Sequence, residues 1–389
     1  MTDDAKDKPG PLSGIRVLDF TALLQGPLAT QILADCGADV VKLEKQNGEW
    51  MRQWGIFMAR THGETDAFLA FNRNKRSVEM DLRNPEDHER ILRLVDKADV
   101  VVENFRPGVM ERAGLGYEAL RQRNPRLIYA ASSGYGRTGP YADRPGQDYL
   151  VQALTGAMWL TGRRGDPPFL FGAAIADQFT GLHLVIGILA ALQHRNRTGE
   201  GQRVDVDLLS CMMAIQQQEL TVVFNHGWTL DRPVENVGHP GITAPCGIYQ
   251  TADGYLLLSV CPCPKLGEIL QVEWLAPYDT NEKMYAARDA VHRLLASHFA
   301  TQTTAYWFGL LSSHDVWCAP VQRHADLEHD PQVAHKHLIW DVPYGDSGAT
   351  YRTVGSPFTF SAGTVGVRRP TPRSGQHTDE FKDGRIWKD

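Results

Sequence analysis

The feature that most constrains the fold of this chain is a regular alternation of strand-like and helix-like segments between residues 15 and 132. The alternation begins with the β-rich run IRVLDF, continues with LATQILAD, which has helical periodicity, and returns to a strand in ADVVKLE. Pro27 suits the first turn of that helix, and Gly37 suits its end. The pattern repeats in an amphipathic helix at 86–98, the strand DVVVEN, the helical GYEALRQR and the strand RLIYAAS. We therefore expect a mostly parallel sheet covered by helices.

The second half of the chain changes in texture and predicts a smaller second domain. Helical patterns cover 147–162, 178–194 and 208–225, and a turn and the alternating strand RVDVDL separate the last two. The segment after them is irregular, and it leads into a predicted hairpin, GIYQTADGYLLLSV, and helical stretches from 264 to 312. The tail after residue 330 is strand-rich, with WDVPYG, ATYRTV and FTFSAG. The expected fold class is α/β: a large Rossmann-like domain over 1–225, a smaller α+β domain over 226–325, and a return of 326–389 to the large domain.

Charge, cysteine use and hydropathy exclude several classes of protein. The 40 Lys and Arg residues against 46 Asp and Glu residues give a net charge of -6, which argues against a broad basic surface for nucleic acid. Cys261 and Cys263 are too close for the usual CxxC spacing, and the other cysteines are scattered, so we expect reduced thiols. Residues 1–10 lack the apolar core of a signal peptide, and the run 182–192 is shorter than the ~20 residues that span a bilayer. We expect a cytoplasmic protein with no membrane partner.

Two motif matches are set aside because their context is wrong. The run GYGRTG at 134–139 fits GxGxxG, but Pro140 follows it and no helix opens there, so a turn is the better interpretation. His324, His329, His335 and His337 fit no metal-ligand spacing, and we expect no metal site.

Asp177 is the candidate for covalent chemistry. It stands directly before the apolar helix QFTGLHLVIGILAALQ, where an aspartate commonly caps the helix by accepting backbone N–H bonds. The helix dipole is expected to keep such a carboxylate ionised, which is the state a nucleophile needs, and the small residues GAAIA before it leave room for a substrate. A cap and a nucleophile are compatible roles, and the residue types alone leave both open.

Ordered segments along nearly the whole chain resemble the class III CoA-transferase family of CaiB/BaiF type, the formyl-CoA, carnitine and bile-acid CoA-transferase group. They include PLSGIRVLDFTALLQGPLATQILADCGADVVKLEK, FNRNKRSVEMDLRNPE, ADVVVENFRPGVMERAGLGYE and NPRLIYAASSGYGRTGPYADRPGQDYLVQALTG, then CAPV, DPQV and GQHTDE. The resemblance implies that Asp177 is the nucleophile that attacks an acyl-CoA thioester. It further implies coenzyme A or acyl-CoA as a substrate with a carboxylic acid as acceptor, no prosthetic group, and a homodimer of two interlocked, ring-like chains.

The resemblance also implies a set of CoA contacts, which follow the predicted strands where ligands of open α/β sheets bind. The matching positions are Leu24, Gln25, Lys45, Met80 to Arg83, Asn104, Phe105, Arg106, Arg112, Ser133, Gly134, Tyr135 and Gly136. Some relatives carry a His or Gln among positions 22 to 24, where this chain has Ala-Leu-Leu, and a glycine-rich loop where it has GHPGITAPCG. The identity of the acids stays open.

Two rival interpretations use the same residues differently. An α-methylacyl-CoA racemase of related fold needs a base on each face of the substrate, and the family's racemases supply a histidine in a GHD segment. This chain has Gly146-Gln147-Asp148 instead, and glutamine exchanges no proton at neutral pH. The other rival is a CoA-binding scaffold in which Asp177 only caps a helix.

Overall fold

The computed structural model describes residues 9–54 and 59–387. Its strands, in chain order, are β1 (Arg16–Asp19), β2 (Asp39–Glu44), β3 (Arg60–Thr61), β4 (Glu64–Thr65), β5 (Lys75–Glu79), β6 (Val100–Glu103), β7 (Ile128–Ser133), β8 (Arg203–Asp207), β9 (Gly247–Gln250), β10 (Tyr255–Leu258), β11 (Cys318–Pro320), β12 (Ile339–Tyr344) and β13 (Ala349–Val354). Its helices are α1 (Gln25–Asp35), α2 (Asp66–Ala70), α3 (Pro85–Val95), α4 (Val109–Arg112), α5 (Tyr117–Arg123), α6 (Asp148–Leu154), α7 (Ile175–Thr198), α8 (Leu208–Ala214), α9 (Gln217–His226), α10 (Cys263–Leu270), α11 (Asn281–Ala286), α12 (Arg288–Phe299), α13 (Thr304–Ser313), α14 (Pro331–His335) and α15 (Thr378–Lys382).

The larger of two compact units is built around a parallel sheet. Its described residues fall within 1–151, 174–215 and 330–389. Six strands run in the order β5-β2-β1-β6-β7-β8, and every neighbouring pair is parallel. The α/β class and the parallel sheet are therefore confirmed. The pattern had missed β5, because KRSVE carries two adjacent cations and has no apolar run.

Alternate residues of the central strands supply two separate cores. On one face, Leu18 of β1 and Val101 of β6 pack in a cluster that includes Ile91 of α3. On the other face, Val17 packs in a cluster with Leu184 and other apolar residues of α1 and α7. This side-chain alternation is the period of two that places successive strand residues on opposite faces. Both faces are buried, which explains why β6 is a continuous apolar run.

The smaller unit comprises residues 152–173 and 216–329. It contains the antiparallel sheet β11-β10-β9, and the predicted hairpin is present with Tyr255 opposite Gln250. Its core joins Tyr249 of β9 to Phe299 and Trp307 of the following helices. The sequence-based division had assigned 152–173 to the large domain, and its boundaries at 225 and 325 stay predictions.

A buried arginine explains why residues 152–173 belong to the smaller unit. Arg232 is 6% exposed, and its guanidinium donates to the carbonyl oxygens of Thr161 (2.9 Å), Pro167 (3.0 Å) and Asp166. The backbone N–H of Arg164 donates to the carbonyl of Pro233 at 2.7 Å. These bonds join segments about 70 positions apart, which no local pattern could indicate.

Several helix and strand predictions need correction. The predicted helix at 147–162 ends as α6 at Leu154 and continues only as a 3-10 turn at Ala157–Trp159, because Gly156 is left-handed. The predicted helix at 208–225 divides into α8 and α9. The predicted strand FTFSAG is absent from the described structure. Its residues Phe358 and Phe360 are exposed and pair with no neighbouring strand.

Helix α7 is longer than the predicted 178–194 and begins before Asp177. At 24 residues it is long and apolar enough to cross a membrane by length and composition, a test that a buried core helix also passes. In the structure it packs against α1, α8, β7 and β8.

Candidate active site

The carboxyl ends of β1, β2, β5 and β6 border a cavity of about 850 Å³. Six of the predicted CoA positions line it: Lys45 after β2, the run Met80 to Arg83 after β5, and Phe105 after β6. Lys45 is exposed, and Arg83 is exposed and paired with Asp81 at 3.1 Å. The cavity thus combines cations, several carboxylates (Glu44, Glu49, Glu79, Asp81 and Asp87) and apolar walls at the edge where ligands of parallel sheets bind.

Other predicted positions lie outside the wall of this cavity: Leu24, Gln25, Asn104, Arg106, Arg112, Ser133, Gly134, Tyr135 and Gly136. Asn104 shapes the loop after β1, because its amide accepts from the N–H of Ala22 (2.9 Å) and donates to the carbonyl of Ala22 (2.8 Å). Arg106 and Arg112 are exposed.

The predicted turn after β7 is present, and no helix opens from GYGRTG. Ser133 Oγ accepts the N–H of Gly136 at 3.0 Å. Gly134 lies so close to Gly146 that a Cβ added to Gly134 would be 2.5 Å from the Cα of Gly146. Glycine is required at both positions for this backbone contact, which brings the segment before α6 against the end of β7.

Asp148, at the start of α6, caps α7. Its Oδ2 accepts the backbone N–H bonds of Ala176 (2.7 Å) and Asp177 (3.1 Å), and the residue is 3% exposed. Ala174 at the N-cap position contributes no side-chain bond. Asp177 lies within the first helical turn, so the interpretation of Asp177 as a cap is wrong. A carboxylate from another helix satisfies the backbone donors instead.

The Asp177 carboxyl is partly buried, and within the described structure it has no hydrogen-bond partner. Burial raises its pKa from the ordinary 3.8 to about 7, and the negative charge of Asp148 adds to the shift. This shift is opposite in direction to the expectation that the helix dipole keeps the Asp177 carboxylate ionised. At neutral pH the carboxylate and the carboxylic acid are both populated, and the carboxylate is unusually basic for an aspartate.

A close backbone contact brings α7 near the predicted residue Gln25. A Cβ added to Gly181 would lie 2.7 Å from the carbonyl oxygen of Gln25, so α7 approaches α1 closely at this point. Asp177 lies one turn before Gly181 on the same face of α7. The side chain of Gln25 in turn accepts a bond from Ser132 Oγ at 2.7 Å, at the end of β7.

The sequence reasoning missed several residues of this region. Trp50, Thr378 and Lys382 also line the cavity, and Thr378 belongs to the segment GQHTDE that carried part of the resemblance. In the sequence, Asp148 is only the last residue of Gly-Gln-Asp, and nothing there indicates that it caps a helix. Its part in capping α7 depends on a contact across 28 positions. In residues 9–54 and 59–387, no group of three His, Cys, Asp or Glu side chains is placed to hold a metal ion.

The sequence pattern described as CoA-transferase family III matches residues 12–378. A succinate–glutarate CoA-transferase from Agrobacterium fabrum is 37% identical, over 97% of this chain and 96% of its own length. A succinyl-CoA:mesaconate CoA-transferase from Haloarcula hispanica is 35% identical, over 96% of each chain. A formyl-CoA:oxalate CoA-transferase from Rhodopseudomonas palustris is 33% identical, over 95% of this chain and 92% of its own.

Solved structures show the same fold. The crystal structure of a CAIB/BAIF family protein from Brucella suis superposes with a TM-score of 0.86 at 33% identity, over 97% of this chain and 100% of that chain. That of Rv3272 from Mycobacterium tuberculosis, in an orthorhombic form, gives a TM-score of 0.84 at 31% identity, over 96% and 100%.

Proposed function

The chain belongs to CoA-transferase family III, and we propose that it moves CoA between carboxylic acids with Asp177 as the covalent nucleophile. The observation that supports this role is the state of the Asp177 carboxyl. Asp148 satisfies the helix N-terminus, so the Asp177 side chain is left without a hydrogen-bond partner in the described structure, with a pKa of about 7. A basic, unengaged carboxylate is a better nucleophile toward a thioester than an ordinary surface aspartate.

The proposed reaction passes the acyl group and CoA through this one carboxylate. An Asp177 oxygen attacks the thioester carbonyl of the donor, which forms a mixed anhydride and releases CoA thiolate. The thiolate attacks the aspartyl carbonyl, which gives an aspartyl-CoA thioester and the free donor acid. The acceptor carboxylate then attacks this thioester, and the released thiolate opens the new anhydride at the acceptor carbonyl. Acyl-CoA of the acceptor leaves, and the Asp177 carboxylate is restored.

The cavity at the strand ends suits a CoA molecule. Lys45, Arg83 and Lys382 supply cations for phosphate groups, while Phe105 and Trp50 supply aromatic surface for an adenine. We propose CoA and acyl-CoA as substrates and no prosthetic group, because the relay requires only a carboxylate and a thiol.

The names of the relatives suggest which acids to test. Succinate, glutarate, mesaconate and oxalate, which occur in those names, are all dicarboxylic acids. We therefore propose a short dicarboxylic acid as the acceptor, and a panel of succinyl-CoA or formyl-CoA with these acids is the first assay. Release of a new acyl-CoA is followed by mass spectrometry. A panel that yields product only with other acids would refute this choice.

A homodimer is proposed from the exposed face of α7. Leu182, Ile186 and Leu189 are all exposed, and their spacing places them on one side of the helix. Contiguous exposed apolar surface is a common mark of a protein–protein interface. Light scattering on the purified chain should give twice the 43.3 kDa mass of one chain, and a monomer would refute the dimer. Interlocking of the chains and a cytoplasmic location stay predictions.

The decisive experiment traps the aspartyl intermediate. The protein is mixed with succinyl-CoA and hydroxylamine, digested and weighed. Hydroxylamine attacks the aspartyl carbonyl of the anhydride or the thioester, so Asp177 should become a hydroxamate. Asp148 in the same sample is the internal control and should stay unmodified. If Asp177 stays unmodified with every acyl-CoA that the protein turns over, the nucleophile is misassigned.

The racemase alternative makes a different prediction. A racemase would wash deuterium from D₂O into the carbon beside the thioester without any acceptor acid. Gln147 precedes Asp148 where the second base would be needed, so we expect no incorporation. Incorporation at the rate of turnover would support the racemase instead.

A further inference from the structure

Leu23 has an unusual backbone conformation at the start of the site. It lies in the loop between β1 and α1 with φ of +69°, in the left-handed region. That region is unfavourable for residues other than glycine, and especially for bulky ones. Such outliers persist only where their surroundings hold them. The Leu23 side chain is 40% exposed, so packing of that side chain is a weak restraint.

Polar contacts to the backbone hold the loop. The N–H of Leu23 donates to Glu49 Oε2 at 2.7 Å. The preceding residue, Ala22, is held on both its N–H and its carbonyl by Asn104, and the carbonyl of Thr21 accepts from Lys42 Nζ at 2.6 Å. Three consecutive residues are thus bonded to side chains of β2 and of the segments that follow β2 and β6.

Glu49 is itself anchored in the interior. It is 5% exposed, and its Oε1 lies 2.9 Å from Nζ of Lys42, which is fully buried. Its own backbone N–H donates to Glu44 Oε2 at 2.9 Å, and Glu44 is held by Arg52 at 2.8 Å. One oxygen of this buried, ion-paired carboxylate therefore accepts a hydrogen bond from a surface loop. Such a carboxylate is rigid, because moving it would leave a buried charge unpaired.

We propose that Glu49 is a positioning residue that holds Leu23 in the left-handed conformation and thereby shapes the binding site for CoA. Thr21, Ala22 and Glu49 all line the cavity at the strand ends, so a relaxed loop would change the wall of that cavity. The inference rests on the proposed function only in taking CoA as the occupant. Glu49 acts through the backbone of Leu23.

The test compares Glu49→Ala in two backgrounds, with the dissociation constant of CoA measured by calorimetry. In the wild-type background we expect Kd to rise roughly 5- to 30-fold, the factor that corresponds to an unsupported left-handed residue. In a Leu23→Asn background, where asparagine tolerates the left-handed region, Glu49→Ala should raise Kd by less than about 3-fold. A merely structural role for Glu49 would give the same factor in both backgrounds and would overturn the proposal.

Two further variants keep the test decisive. Asp99→Ala removes an ion pair of 2.9 Å to Arg195 at the amino ends of the strands, so it is a control for destabilisation and should leave Kd unchanged. If Glu49→Ala fails to fold, Glu49→Gln replaces it, because an amide cannot serve both Lys42 and the Leu23 N–H. An unchanged Kd for the folded Glu49 variant, or no CoA binding by the wild-type chain, refutes the proposal. Failure of hydroxamate formation at Asp177 bears on the catalytic role alone, since the readout here is binding.

Discussion

Replacing Asp177 with asparagine should abolish transfer and, at the same time, stabilise the folded chain at alkaline pH. The reason is the raised pKa of this carboxyl. Burial and the charge of Asp148 raise it from 3.8 to about 7, so the folded state binds the proton more tightly than the unfolded state does. The contribution of the Asp177 carboxyl to the free energy of unfolding is thus fully present below pH 3.8. It is lost as the pH rises toward 7, because the folded state disfavours the ionised form.

The magnitude follows from the two pKa values. Ionisation of Asp177 lowers the free energy of unfolding by about 1.5 kcal/mol at pH 5 and by about 4 kcal/mol at pH 8. Asparagine resembles the protonated acid in shape and does not ionise. The stability of Asp177→Asn relative to the wild-type chain should therefore increase by about 2.5 kcal/mol between pH 5 and pH 8.

Urea unfolding of both chains, followed by tryptophan fluorescence at the two pH values, measures this difference. Comparison across pH removes any constant effect of the substitution. Asp379→Asn is the matched control, because Asp379 lies exposed in the first turn of α15, and its effect should be the same at both pH values. A stability difference for Asp177→Asn that does not change with pH would refute the raised pKa and the reasoning built on it.

Three other predictions follow from particular contacts. Gly146→Ala places a Cβ 2.3 Å from the Cα of Gly134, so the segment that carries the α7 cap must shift. We expect kcat, from steady-state kinetics, to fall at least about 10-fold and the CoA affinity, from calorimetry, to stay nearly unchanged; an equal loss of both would contradict this. Arg232→Lys removes most of the hydrogen bonds to three carbonyls and should destabilise the smaller unit by about 2 kcal/mol. Proteolysis near residues 160–170 should become faster, and an unchanged cleavage rate would count against this prediction. Lys45→Ala should raise the Kd of CoA about 10-fold at low salt and by less at high salt, and an effect independent of salt would argue against a phosphate contact.

The structure corrects the interpretation of Asp177 as a helix cap. The sequence placed it at the start of an apolar helix, where a cap is the usual role of an aspartate. The cap belongs to Asp148, and this one contact explains both why the Asp177 side chain is unengaged and part of why its pKa is raised. Neither effect could be predicted, because each depends on the approach of two helices that are separate along the chain.

Edge strand β5 shows the same limit in the fold. Lys75 is fully buried there, yet it pairs with Asp19 at 3.0 Å and donates to Asn72 at 2.9 Å. Burial alone would raise the pKa of Asp19, but the charges of Lys75 and Lys42, together with hydrogen bonds from Thr21 and Thr30, outweigh it and lower that pKa to about 2. A charged segment can thus form a buried strand when distant residues neutralise it, and a hydropathy pattern does not register this.

The sequence by itself determined the α/β class, the parallel sheet, the family and the candidate residue Asp177. These follow from hydrophobic periodicity and from ordered local segments, both of which are properties of neighbours along the chain. Only the tertiary structure decided which carboxylate caps α7, how basic Asp177 becomes, which residues form the cavity and why residues 152–173 lie in the smaller unit. Those properties arise from charges, carbonyls and glycines that meet across tens to hundreds of positions, and the free energy of such contacts exists only once the chain has folded.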